Sequence, residues 1–388
     1  MYLRLIALAL VPRLVWLFLY SYDTTGVDVG RYLAHANSLR EFHVFGFNGQ
    51  PSAMSSPLYP AIIALLNSVI LVQIVQLIVS IGTVLITYQI AKESFSKRVA
   101  VISAIGMALA PMSSRYSVVL LTETFFTFFI ALGCLLWGRK KYYWSGAAFG
   151  LSILTRATSL PFVLLLIPLS FIPSLRHTWK IALVALLIVS PWTVRNYVVF
   201  HKFIPVVTAG LGNNLLVGTV NLTYEESAWT QLNNSKLLSE DEIKGLDETE
   251  VDRLATKKAI EHIKANPIGW MWARIKQYPL LYVDTGQYIY IDSGVLKTVV
   301  MPLFLLGNFT FLLLALYGFW LQKNRFFELA HLVLFPLFVA LIHLPLWVEG
   351  RYSLPMMPMA VIFAAVAVCV GMGRSFRKPF ASLNLLCW

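Results

Sequence analysis

Apolar runs of about twenty residues, separated by short clusters of Lys and Arg, constrain this chain more than any other feature. A run of that length is what an α-helix needs to cross a bilayer. The runs read as Leu3–Tyr20, Val69–Ala91, Val99–Ser114, Ser117–Trp137, Ser145–Ala157, Leu160–Phe171, Ile181–Val199, Val295–Leu321, Leu329–Val348 and Ser353–Val370. The 388 residues are 58% hydrophobic and only 13% charged, with mean hydropathy +0.69. A soluble chain of this size carries about twice that charge. The expected fold class is an all-α polytopic membrane protein of about ten spans.

The net charge of +12 does not indicate a nucleic-acid partner here. The basic residues gather in short loops, at Lys92, Lys97 and Arg98, at Arg139, Lys140 and Lys141, at Arg176 and Lys180, at Lys323 and Arg325, and at Arg374, Arg377 and Lys378. With the N-terminus in the cytosol, all of these clusters fall on the cytosolic side, as the positive-inside rule requires. The two long polar stretches then lie outside. The chain divides into a transmembrane core, residues 1–199, whose first outer loop is 21–68, an extracytoplasmic loop domain, 200–293, and C-terminal transmembrane helices, 294–388. Met1 to Tyr20 reads as a retained span, since no small-residue cleavage site precedes the polar loop. Cys134, Cys369 and Cys387 show neither metal-ligand spacing nor a disulfide framework.

Thr25–Pro60 is too polar to cross the membrane, and its centre is Asp28-Val29-Gly30-Arg31-Tyr32. Asp28, Arg31 and Tyr32 share one face of a helix at i, i+3 and i+4. Tyr32, His35, Ala36 and Leu39 continue a half-apolar stripe suited to a membrane surface. Pro57–Leu66 reads as a second surface helix. In the loop domain, Val251–Ala265 reads as an amphipathic helix stopped at Asn266-Pro267. Trp270, Trp272 and Tyr278 then suggest an interfacial aromatic belt.

Candidate chemistry collects at the outer ends of the spans. Asp28 reads either as a helix N-cap or as a general base with a tunable carboxyl. Glu123 stands in an otherwise apolar run, where a charge is costly and is either functional or paired, here with Arg115 or Arg156. Arg156, Arg195 and Arg351 each sit at an outer turn in an apolar setting. Each alone suits a snorkelling anchor. Together they suit phosphate oxygens, with Lys276 as a weaker member. Arg13, inside the first span, receives no role. His35, His43 and His343 lack ligand spacing. Asn221 and Asn233 match the glycan-acceptor pattern, which is weak evidence. There is no P-loop, GxGxxG, serine elbow or HExxH motif, so no cofactor is read from the sequence, and a divalent metal stays open.

These residues stand in an ordered set of motifs. They are Asp28-x-x-Arg31-Tyr32, Pro57-Leu58-Tyr59-Pro60, Leu121-Thr122-Glu123-Thr124 and Leu154-Thr155-Arg156-Ala157-Thr158, then Pro191-Trp192-Thr193-Val194-Arg195-Asn196-Tyr197 and Gly350-Arg351-Tyr352-Ser353-Leu354-Pro355. In that order the chain resembles glycosyltransferase family 39, related to the protein O-mannosyltransferases and the lipid A aminoarabinose transferase. The resemblance implies the GT-C fold, with juxtamembrane helices on the outer face and a small, mainly α loop domain. It implies an inverting glycosyltransferase of the bacterial-type inner membrane that works on the extracytoplasmic face. The donor would be a polyprenyl-phosphate-linked sugar, and the acceptor a hydroxyl of a lipid, glycan or protein. Asp28 is the implied base, with Glu123 beside it. Arg31, Tyr32, Tyr59, Arg156, Arg195, Asn196, Lys276, Arg351 and Tyr352 are the candidate substrate contacts. The alternative is a transporter or flippase of a lipid-linked sugar, which would place its polar site near the bilayer midplane.

Overall fold

The computed structural model describes residues 1–20, 26–208, 210–220, 237–282 and 294–373. Asn221, Asn233, Cys387 and the basic cluster at Arg374, Arg377 and Lys378 lie outside the described residues. The helices in chain order are α1 (Tyr2–Tyr20), α2 (Val27–Phe42), α3 (Leu58–Leu66), α4 (Val69–Ser94), α5 (Lys97–Leu109) and α6 (Pro111–Tyr116). There follow α7 (Glu123–Gly138), α8 (Tyr142–Thr155), α9 (Leu160–Leu169), α10 (Thr178–Phe200), α11 (Leu211–Val217) and α12 (Glu240–Ile243). The chain continues with α13 (Glu248–Ala265), α14 (Pro267–Gln277), α15 (Gly294–Leu321), α16 (Ala330–Ile342) and α17 (Met357–Gly371). A two-stranded hairpin, Gly46–Phe47 with Gln50–Pro51, decorates the first loop.

Among the described residues, Tyr2–Leu19, Val69–Ser94, Thr178–Phe200 and Gly350–Gly371 are long and apolar enough to cross a membrane. Shorter apolar helices, including α7, α9 and α16, complete the bundle. α4 packs on α5 and α7, α8 on α7 and α10, and α17 on α5 and α15. The last crossing needs Gly318, where a Cβ would stand 1.8 Å from the Phe363 carbonyl oxygen. One large apolar cluster runs through these helices and includes Phe126, Phe149, Phe162 and Phe335. A smaller one, with Tyr59, Tyr116, Leu120 and Phe125, lies under α2 and α3.

Arg13 neither snorkels nor finds a carboxylate. It is fully buried and donates to Ser80 Oγ at 2.9 Å, to the Ala9 and Ala108 carbonyls at 2.8 and 3.0 Å, and to Ser113 Oγ at 3.2 Å. In lipid every such donor needs an internal acceptor. Arg13 therefore stitches α1 to α4 and to the end of α5.

Several expected span ends move. Ser117 to Thr122 is not helical, and α7 begins at Glu123. Two amides on α4 capture the carbonyls of that stretch. Gln73 Nε2 donates to Val118 O at 2.9 Å, and Gln76 Nε2 donates to Val119 O at 2.8 Å. Thr124 Oγ1 takes the Tyr116 carbonyl at 2.6 Å. Irregular backbone at membrane depth is tolerated where protein satisfies it in this way. α16 stops at Ile342, ahead of Pro345, and Gly350–Met356 forms a 3-10 turn before α17. Both breaks put polar side chains at the same end of the bundle.

Among its described residues, the 200–293 segment is mainly helical. α13 spans the expected amphipathic segment and starts earlier, at Glu248, because Asp247 caps it. Asn266 ends it and caps α14. α11 crosses α13 at Gly212, where a Cβ would meet the Asp252 carbonyl oxygen at 2.2 Å. This unit docks on the first loop and on the turn before α17. Ala53 N donates to Glu248 Oε2 at 3.1 Å, Thr208 N to Ala53 O at 2.9 Å, and Trp347 N to Asn214 O at 3.2 Å.

Candidate functional site

α2 starts at Gly26, whose φ of 109° suits glycine, and no side chain caps it. Asp28 is therefore not the cap. It lies in the first turn, where the helix dipole favours a carboxylate, and its side chain turns to two guanidinium groups. Oδ1 accepts from Arg31 Nη2 at 2.6 Å and Oδ2 from Arg351 Nη2 at 3.1 Å. The i, i+3 spacing places Arg31, and the 3-10 turn brings Arg351 across 323 residues of sequence. Burial pushes the Asp28 carboxyl up, but Arg351, Arg31 and Arg156 outweigh it and hold the group below the usual carboxylate range.

Glu123 enters from the broken end of α7. It is 1% exposed and pairs with Arg156 Nη1 at 2.9 Å and Arg351 Nη1 at 3.6 Å. Of its two expected partners, the structure shows Arg156. Arg156 in turn lies over the Tyr352 ring at 4.8 Å. Tyr32 packs edge-on against Tyr59, with ring centroids 5.3 Å apart. Tyr59 is fully buried and donates to Gln76 Oε1 at 2.6 Å. Tyr59 thus supports Tyr32 and ties the surface helices to the amide pair that opens the end of α7.

Glu349 was not a candidate in the sequence, where it reads as the neighbour of Arg351. Its carboxylate accepts from Arg351 Nε. Burial pushes it above the usual carboxylate range, more strongly than Arg351 pulls it down. Asp28, Glu123 and Glu349 thus face Arg31, Arg156 and Arg351. The sequence signal for Glu349 was only its spacing of two from Arg351.

Arg156 and Tyr352 also line a small pocket of about 20 Å³. His343, Phe126, Phe335, Phe338 and Ile342 also line it. Charged and apolar side chains thus meet in its walls.

Other expected site residues stand apart. Arg195 donates to the Phe45 carbonyl at 2.8 Å, to Ser52 O at 3.1 Å and to Asn196 Oδ1 at 3.0 Å. It also lies over the Trp192 ring at 4.8 Å. Its donors thus clamp the first-loop hairpin to α10. Asn196 is fully buried and holds the Ile204 and Val206 carbonyls, each at 3.2 Å. Lys276 lies over Trp272 at 5.4 Å and borders a separate cleft in the loop domain with Trp270 and His262. His35 is fully buried between Phe45 and Phe47. Among the described residues, no group of three or more His, Cys, Asp or Glu side chains is arranged to hold a metal. The carboxylates of the site are met by guanidinium groups.

Helices broken at one end of a bundle, with surface helices and charged side chains gathered there, make the GT-C fold of membrane glycosyltransferases. The same fold appears in crystal structures of the Archaeoglobus fulgidus oligosaccharyltransferase. The apo form superposes with a TM-score of 0.55 at 13% identity, over 96% of this chain and 51% of that one. The form tethered through a disulfide bond to an acceptor peptide with the NVT sequon gives 0.53 at 13% identity, over 96% and 50%. The chain thus spans about half the length of these structures. The sequence model of the family described as dolichyl-phosphate-mannose-protein mannosyltransferase matches residues 54–194. That segment carries Tyr59, Glu123 and Arg156, and leaves out Asp28 and Arg351. No curated protein sequence matches the chain significantly. The family resemblance read from the motifs and the all-α membrane fold class both hold.

Proposed function

We propose that the protein is an inverting membrane glycosyltransferase that moves a sugar from a polyprenyl-phosphate carrier to an acceptor hydroxyl on the extracytoplasmic face. One observation carries the reading: Asp28 is held between Arg31 and Arg351, and Arg351 also meets the Glu123–Arg156 pair, at the end of the bundle where the helices break. The family model over 54–194 and the GT-C fold support the same class of activity.

The donor phosphate is placed among Arg351, Arg31 and Arg156, whose terminal nitrogens suit its oxygens. The prenyl tail lies in the lipid beside the bundle. As the phosphate takes hydrogen bonds from Arg351 or Arg31, Asp28 is freed to accept the acceptor's hydroxyl proton. The acceptor oxygen forms a bond to the anomeric carbon from the face opposite the phosphate. The bond from that carbon to the phosphate oxygen breaks, and its electron pair leaves with the polyprenyl phosphate. The guanidinium groups stabilise the charge that develops there. Glu123 holds Arg156 and Arg351 in place. Arg195 and Asn196 set the first loop that carries α2. Lys276 is assigned to the loop domain, which lies with its 200–293 segment outside the membrane.

The reading is tested with purified protein in detergent and a panel of labelled polyprenyl-phosphate sugars. Acceptor-dependent loss of label from at least one lipid is expected. Movement of intact lipid across vesicles without sugar release would make the protein a flippase. The outer placement is tested with single cysteines at Asp241 and Lys141 in a cysteine-free background. An impermeant thiol reagent should reach position 241 from outside and position 141 only after permeabilisation.

A further inference from the structure

Arg351 is held on three sides. Its terminal nitrogens face Asp28 at 3.1 Å and Glu123 at 3.6 Å, and its Nε edge faces Glu349. Glu349 is 16% exposed on its side chain and sits at the entry to the 3-10 turn, beside a loop tied down from the other side. Arg274 donates to Leu346 O at 2.8 Å, and Trp347 N donates to Asn214 O at 3.2 Å. Glu349 thus fixes the orientation of Arg351 from the edge that a phosphate does not need.

Charge sets a second constraint. With all groups ionised, Asp28, Glu123 and Glu349 balance Arg31, Arg156 and Arg351. A phosphodiester adds one negative charge to that balanced set. Among the three carboxylates, Glu349 is the one that meets Arg351 at Nε, away from its terminal nitrogens, and burial pushes its carboxyl up from the usual carboxylate range. Asp28 is held below that range by three arginines.

We propose that Glu349 is a proton-linked positioning residue, which holds Arg351 by its Nε edge and takes a proton from solvent when a lipid phosphodiester enters the site. This rests on the reading of the cluster as a phosphate site. The proton adds to the carboxylate, Arg351 Nε–H goes on donating to the remaining carbonyl oxygen, and the site returns to balance. The charged and titratable groups that act on Glu349 are Arg351 and Tyr352 on its own turn, Asp28 on α2 and Glu123 on α7, and behind these stand Arg31, paired with Asp28, and Arg156, paired with Glu123. His343 lies beyond Tyr352, 5.5 Å from its ring.

The sign follows from the raised proton affinity of Glu349. As pH rises above the usual carboxylate range, the empty site ionises Glu349, and a phosphodiester must then restore the proton. Binding therefore weakens with rising pH, by about tenfold for each pH unit over which one proton is taken up. The probe is polyprenyl methyl phosphate, which carries one charge at every pH used and has no sugar to transfer. Its affinity is measured by calorimetry with the full-length protein in detergent, from pH 5 to pH 8.5, with proton uptake read from two buffers of different ionisation heat. Wild type should bind with proton uptake and weaken as pH rises. Glu349→Gln should bind at least as tightly at pH 8.5, with the pH dependence and proton uptake gone. Glu349→Asp should keep both. Binding by wild type that Glu349→Gln leaves with the same pH dependence overturns the proposal and leaves the phosphate site standing. No binding by wild type at any pH overturns both. A Glu349→Gln that melts lower but keeps the proton uptake would leave Glu349 a structural residue only.

Discussion

Arg351 and Arg195 look alike in the sequence, each beside aromatics near the outer end of a span, and the structure gives them opposite surroundings. Arg351 meets the carboxylates of Asp28, Glu123 and Glu349. Arg195 meets the backbone carbonyls of Phe45 and Ser52 and the ring of Trp192. A carboxylate can give up its guanidinium to an arriving anion, because it can take a proton instead. A carbonyl oxygen cannot, and stripping its donor leaves it unsatisfied. On the proposed reading the first arginine is shared with a ligand, while the second holds a loop.

That contrast can be broken or sharpened by substitution. Glu123→Ala should have the largest effect. Removing one member of a buried pair typically costs about 3–5 kcal/mol, and both Arg156 and Arg351 lose their common anchor. A melting temperature unchanged by Glu123→Ala would show that the cluster is not coupled through it. Arg351→Lys comes next. Lysine cannot reproduce the planar fork, and one charged hydrogen bond is worth about 1.5–3 kcal/mol, so transfer should fall about tenfold or more with normal expression. Arg195→Lys should instead keep initial rates within about twofold once folded, and lower thermal stability by a few degrees, since about 1 kcal/mol shifts a domain of this size by a few degrees. Strong loss of donor use in Arg195→Lys, with unchanged melting, would reverse the comparison. Lys276→Ala should change donor kinetics least, because Lys276 stands over Trp272 in the loop domain.

The all-α membrane architecture was legible because a bilayer forces apolar length onto the sequence, and α1, α4 and α10 fall within a few residues of the expected spans. The break before Glu123 was not legible. Ser117 to Thr122 is apolar enough to continue a helix, and what unwinds it is a pair of glutamines on another helix. The end of α16 was similarly overrun, since Pro345 marks a stop only when the turn after it is known. Within the site, Asp28, Arg31 and Tyr32 could be grouped by spacing alone. Their meeting with Glu123, Arg156 and Arg351 depends on tertiary contacts between turns far apart in sequence. Arg195 was grouped with them because side-chain type and span end were all that the sequence offered, and neither reveals whether the partner is a carboxylate or a carbonyl.

The account turns on Asp28 as the group that takes the acceptor proton. The direct measurement is turnover and donor binding in Asp28→Asn beside wild type, using the labelled lipid sugar that wild type consumes and the same detergent. Loss of a general base commonly costs about two to four orders of magnitude in rate. The account predicts that loss together with donor binding no weaker than wild type, since Arg31 and Arg351 keep their charge and lose a competing carboxylate. Near-normal turnover in Asp28→Asn would contradict it and leave Asp28 a link between Arg31 and Arg351.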